Sequence, residues 1–101
     1  MTDKVKTTAG PVRLTGRLIC RSACDIEAVR THLPQHIRLT RAEAGCISFS
    51  VVQSEDPLIW HVEERFVDME ALAFHQQRTR ASSWWTATAG IPRDYEGVGV
   101  D

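Results

Sequence analysis

The run Leu58-Ile-Trp-His-Val-Glu-Glu-Arg-Phe66, followed at once by Asp68 and a stretch of helical period, constrains the fold of this chain more than any other segment. Strand alternation puts Leu58, Trp60, Val62, Glu64 and Phe66 on one side and Ile59, His61, Glu63 and Arg65 on the other. Asp68 is suited to cap a helix, with Glu70 and Ala71 in its first turn, and Met69, Leu72, Ala73 and Gln76 are predicted to lie on the sheet. The first row is apolar except for Glu64, so burial beneath helices would leave one carboxylate in need of a partner. His75, seven residues beyond Asp68, is the candidate.

Similar patterns recur along the chain. Residues 12–20 alternate as a strand, and Gly16 within it is expected to mark a bulge or a close approach. Asp25 is predicted to begin a helix carrying Ile26, Val29 and Leu33, which Pro34 either ends or replaces with a second helix through His36, Ile37, Leu39 and Thr40. Gly45 closes this region, and residues 46–53 return to period two. Ser54, Glu55, Asp56 and Pro57 supply a turn, so residues 46–53 and 58–66 are expected to form a hairpin. Residues 82–90 read as a short helical or irregular segment, and residues 91–100 as a last strand.

The order strand, helix, strand, strand, helix, strand predicts an α+β fold of the ferredoxin-like, split βαβ kind with an antiparallel sheet. Two helices cover one face of such a sheet. The other face is expected to be a polar-rimmed dimer contact, built from Ile59, His61 and Glu63 with Ile47, Phe49 and Val51 beside them. A chain of 101 residues suits one core, so a single domain over residues 11–101 is expected after a flexible segment at residues 1–10.

Composition narrows the function. Twelve basic residues against 13 acidic ones give a net charge of -1, and the arginines are dispersed, which argues against a nucleic-acid partner. No apolar run approaches the roughly 20 residues of a spanning helix, and none follows the first lysines, so a cytoplasmic protein is expected. Cys20, Cys24 and Cys46 are odd in number and lack a second CxxC-like pair, so buried or half-buried thiols are expected rather than disulfides or a zinc site. Dinucleotide, phosphate-loop, HExxH and nucleophile-elbow motifs are all missing.

The stretch from Leu39 to Tyr95 resembles the antibiotic biosynthesis monooxygenase family. The likeness runs through Glu43-Ala-Gly-Cys-Ile-Ser-Phe49, then Glu64, Phe66, Asp68, Ala71-Leu72 and His75. It implies a homodimer associated as a dimeric α/β barrel. It also implies a monooxygenase that needs no cofactor or metal and oxidises a small quinol or phenolic substrate with O₂. Within that resemblance His75 would shuttle a proton and Glu64 would orient it. Trp60, Phe66, Trp84 and Trp85 would contact the ring, while Arg78 or Tyr95 would face its oxygen. Two other readings remain open: a noncatalytic dimeric binding or stress-related protein, in which Glu64 and His75 only fix helix to sheet, and a haem-degrading enzyme with His75 as axial ligand.

Overall fold

The computed structural model describes the backbone of residues 10–100 and the side chains of residues 10–96. The segment expected to be flexible, residues 1–10, therefore lies outside the described residues except for Gly10. Seven elements follow in order: β1 (Val12–Ile19), α1 (Ala23–Arg41), β2 (Cys46–Gln53), β3 (Ile59–Phe66), α2 (Met69–Arg80), α3 (Ser83–Thr88) and β4 (Arg93–Val100). The strands form an antiparallel sheet ordered β2-β3-β1-β4, which is the α+β, split βαβ arrangement.

Alternation on β3 fixes the buried face. Trp60, Val62, Glu64 and Phe66 turn toward the helices, joined by Val12, Leu14 and Leu18 of β1. Phe49 and Val51 of β2 are on this face too, opposite Glu64 and Val62, and not on the open face where they were expected. The loop after Gln53 sets a register that pairs odd-numbered residues of β2 with even-numbered residues of β3, and a one-residue change in register exchanges the faces of a strand. A register shift between Cys46 and Ser48 leaves Ile47 exposed. The open face instead carries Ser50 and Val52 beside Glu63 and His61, with ion pairs Arg13–Glu63 at 2.7 Å and Arg17–Asp94 at 2.9 Å.

Pro34 neither ends nor starts a helix: α1 runs through it from the Ser22 N-cap to Arg41. An internal proline removes one backbone hydrogen bond and costs about 3 kcal/mol. Here Val29, Leu33, His36 and Thr40 form one buried stripe at helical spacing, and packing along that stripe holds the helix across the interruption. On α2, Asp68 accepts the Ala71 N–H at 2.8 Å as the expected cap. The buried face is Leu72 and His75, whereas Met69 and Ala73, expected to face the sheet, are exposed, and Gln76 is exposed but reaches the space between helix and sheet. Among the described residues no helix is long and apolar enough to cross a membrane.

Gly16 is a place of close approach. The Tyr95 ring of β4 lies over it, and a β-carbon there would meet the Asp94 carbonyl oxygen at 2.5 Å and the Tyr95 Cα at 2.8 Å. Gly16→Ala should therefore lower the free energy of unfolding by about 1–3 kcal/mol in urea titrations. Unchanged stability would show that β4 does not lie this close to β1.

Candidate active site

Between the buried sheet face and the helices lies a cavity of about 200 Å³. Its apolar walls are Leu14, Leu18, Phe49, Val51 and Val62 from the strands and Trp84 and Trp85 from α3. Its polar lining comprises His36, Glu64, His75, Thr79, Gln76, Arg80, Arg93 and Tyr95. An apolar cavity of about 150 Å³ holds benzene, so a one- or two-ring guest matches this space.

His75 is positioned from both sides. Its Nδ1 lies 3.1 Å from Glu43 Oε2, at the end of α1, while Nε2 lies 3.4 Å from Thr79 Oγ1 and 3.8 Å from Glu64 Oε1. The last distance is too long for a hydrogen bond, but a substrate hydroxyl seated between the groups can meet both. Glu43 Oε2 also accepts from Arg78 Nε at 2.5 Å, and Arg78 Nη2 donates to Thr40 Oγ1 at 2.9 Å. Side chains of Glu43, Glu64 and His75 are each at most 7% exposed, so these contacts operate largely out of water.

Aromatic rings complete the inner wall. His36 stacks on Trp84, with centroids 4.8 Å apart and planes 3° apart, and meets the Phe49 ring edge-on at 5.3 Å. Phe66 packs on the His75 ring at 4.9 Å. Trp85 lies under the Arg93 guanidinium, 5.0 Å from its ring centre.

Comparison with known proteins places this geometry. The family model described as antibiotic biosynthesis monooxygenase matches residues 25–85, more than half of the chain. The chain belongs to the antibiotic biosynthesis monooxygenase family. Solved structures share its fold. Rv0793 of Mycobacterium tuberculosis is 26% identical with a TM-score of 0.66, covering 91% of this chain and 97% of its own. A Nitrosomonas europaea protein named for the same family is 18% identical with a TM-score of 0.76, covering 87% and 96%. A variant of SnoaB, a cofactor-independent oxygenase of Streptomyces nogalater, is 12% identical with a TM-score of 0.71, covering 87% and 90%. No curated protein matches the chain.

In this family member the expected site residues separate into two groups. His75, Glu64, Trp84, Trp85 and Tyr95 line the cavity. Trp60, Phe66 and Arg78 do not. Trp60 points into the core beside Leu18, Phe66 supports the His75 ring from behind, and Arg78 holds Glu43. Glu43, and not Glu64, makes the short contact to His75. Glu43, His36 and Thr79 were not singled out for the site from sequence, whereas Arg80 and Arg93, which the sequence offered beside Arg78 as arginines for a pocket mouth, both line the cavity. His36 continues the Val29, Leu33 stripe once α1 is read through Pro34, whereas Glu43 lies in a turn that no periodicity marks. The three cysteines are free, and Cys24 is exposed rather than buried.

Burial sets the protonation states. It raises Glu64 to about 7, with the nearby Glu43 charge adding to the effect. His36 is pushed down to about 3, first by burial and then by His75, Arg78 and Arg93. His75 is also lowered by burial, an effect that its hydrogen bond to Glu43 opposes. Burial thus favours the uncharged form of both groups, the protonated carboxyl of Glu64 and the neutral imidazole of His75. With Nδ1–H donating to Glu43, Nε2 presents its lone pair to the cavity. Burial, and next Glu64, push the Tyr95 phenol up.

A pH dependence of stability follows. Folded Glu64 keeps its proton to about 7, whereas the ordinary value is 4.5, so its stabilising contribution is full below pH 4.5 and is lost as pH rises to about 7. His36 acts in the opposite sense: its contribution is full above 6.5 and is lost as pH falls toward about 3. Glu64→Gln removes the first effect alone. The free energy of unfolding of this variant should rise relative to wild type between pH 4.5 and 7 and level off above, a difference on the order of a few kcal/mol. A difference that is flat, or that grows toward acid, would contradict a protonated Glu64.

Proposed function

We propose that this chain is a cofactor-independent monooxygenase that oxidises a small quinol or phenolic aromatic with O₂. The supporting observation is the cavity of about 200 Å³ in which His75 Nε2 and the Glu64 carboxyl meet beneath an indole wall. A substrate hydroxyl between them gives its proton to Nε2, and the Glu43 hydrogen bond stabilises the imidazolium that forms. The phenolate then transfers an electron to O₂, and the resulting radicals combine at a ring carbon as a peroxide. Loss of water leaves a carbonyl: one oxygen atom enters the ring, the other departs as water, and the substrate supplies all four electrons.

The two cavity groups are suited to opposite tasks. Neutral His75 is the base, and Glu64, protonated to about 7, is the acid that can protonate the departing oxygen. Trp84 and Trp85 hold the ring, and Tyr95 and Arg93 face the developing anion. Glu43 takes the orienting part that the sequence suggested for Glu64. Haem does not suit this space: the cavity is far smaller than a tetrapyrrole, and His75 Nε2 sits close to Glu64 and Thr79. The open sheet face, with exposed Val52 on β2 and the ion-paired Arg13 and Arg17 on β1, supports a homodimer of the barrel type. Three free thiols fit a cytoplasmic protein.

Oxygen uptake with small hydroquinones and hydroxynaphthalenes tests the reading. Wild type should consume one O₂ per substrate, and His75→Asn should lower kcat by about 10²-fold or more while circular dichroism is unchanged. No uptake by wild type, with ligands still bound, would make this a binding protein. Light scattering on the same sample should give twice the 11.4 kDa chain mass, and a single mass would reject the dimer.

A further inference from the structure

The charges lining the cavity do not balance. Among the described residues Arg13, Arg17, Arg21 and Arg78 each pair with a carboxylate. Arg93 is held instead by neutral acceptors: Nη1 donates to the carbonyls of Thr88 at 2.7 Å and Ile91 at 3.0 Å, and Nη2 donates to Thr88 Oγ1 at 2.8 Å. Its guanidinium lies over the Trp85 ring, 5.0 Å from the ring centre. No described carboxylate comes within ion-pair distance of it, or of Arg80 at the cavity mouth. The one carboxyl group in the lining, Glu64, keeps its proton to about 7. In a chain of net charge -1, this cavity is a place of uncompensated positive charge.

Register locates that charge. Glu64 stands opposite Leu14 of β1, and Arg93 stands opposite Leu18. Four residues of strand separate them, about 13 Å along β1. Both side chains reach into the same space, with Tyr95 between them opposite Gly16 and the indoles above. A guest lying along the cavity from Glu64 to the guanidinium therefore meets a carboxyl group at one end and a cation at the other.

We propose that the cavity binds an aromatic carboxylic acid, with a ring hydroxyl at Glu64 and His75, the ring against Trp85, and the carboxylate on Arg93, with Arg80 flanking the mouth. The hydroxyl end rests on the oxidation proposed above; the carboxylate end stands on the arginines alone. Arg93 is a binding residue in this inference, pre-fixed by the end of α3 so that little side-chain freedom is lost when the anion arrives.

Anaerobic calorimetry with 3- and 4-hydroxybenzoate against the matching hydroxybenzamides tests it, because each amide keeps the shape and hydroxyl but lacks the charge. At least one acid should bind about tenfold or more tighter than its amide. Arg93→Gln should abolish that preference, and Arg93→Lys, which keeps the charge, should retain most of it. Equal binding of acid and amide by wild type, binding of neither, or a preference that survives in folded Arg93→Gln would each overturn the inference; the wild-type comparison stands even if the glutamine variant does not fold. Acid preference without oxygen uptake under air supports the inference and contradicts the oxygenase reading. Uptake with uncharged quinols and no acid preference does the reverse.

Discussion

The hydrogen bond from His75 to Glu43 joins the parts of this molecule that matter for its chemistry. Glu43 follows the C-terminus of α1, His75 and Arg78 lie on successive turns of α2, and Thr40 receives the second arm of Arg78. One carboxylate oxygen therefore serves both an imidazole and a guanidinium in a buried setting. Such an arrangement adds modest stability when complete, but removing one partner strands a charge and costs about 3–5 kcal/mol. Its larger effect is orientation: with Nδ1 engaged by Glu43, the other ring nitrogen faces the cavity.

The same burial that makes this contact strong separates the proton affinities around it. Glu64 sits in an apolar strand row and holds a proton near neutrality, while His36, sandwiched between Trp84 and Phe49, stays uncharged. A carboxyl group whose proton affinity burial raises and an imidazole whose affinity burial lowers, beside one cavity, suit the acid and base ends of a proton transfer. Arg93 at the other end, with Arg80 at the mouth, supplies fixed positive charge in the lining. The antibiotic biosynthesis monooxygenase fold thus provides a space whose two ends differ in kind.

Much of this was legible in the residues. The β3 alternation named its buried row, Glu64 included, because each face of a strand is read directly from period two. Asp68 was legible as a cap because a short polar side chain before a helix has few other uses. The second strand was not: its face depends on hairpin register, which the sequence of the turn left open, and Phe49 and Val51 consequently lie on the core side. Pro34 misled because local propensity points to a break, whereas the Val29 to Thr40 stripe overrides it through packing. Glu43, part of the motif that carries the family resemblance, was not read as a site residue, since it contacts His75 across 32 positions of sequence and no local pattern encodes that distance. Among the arginines offered for the pocket, Arg78 turns to Glu43 and Arg93 lines the cavity, a choice decided by helix phase and strand pairing together.

Nitrogen-15 NMR of the imidazole groups tests the account most directly. At pH 7 in the ligand-free protein, His75 should be neutral with its proton on Nδ1 and an unprotonated Nε2, and Glu43→Gln should shift that tautomer balance. An imidazolium at pH 7, or a neutral ring protonated on Nε2, would contradict the claim that Glu43 presents His75 to the cavity as a base.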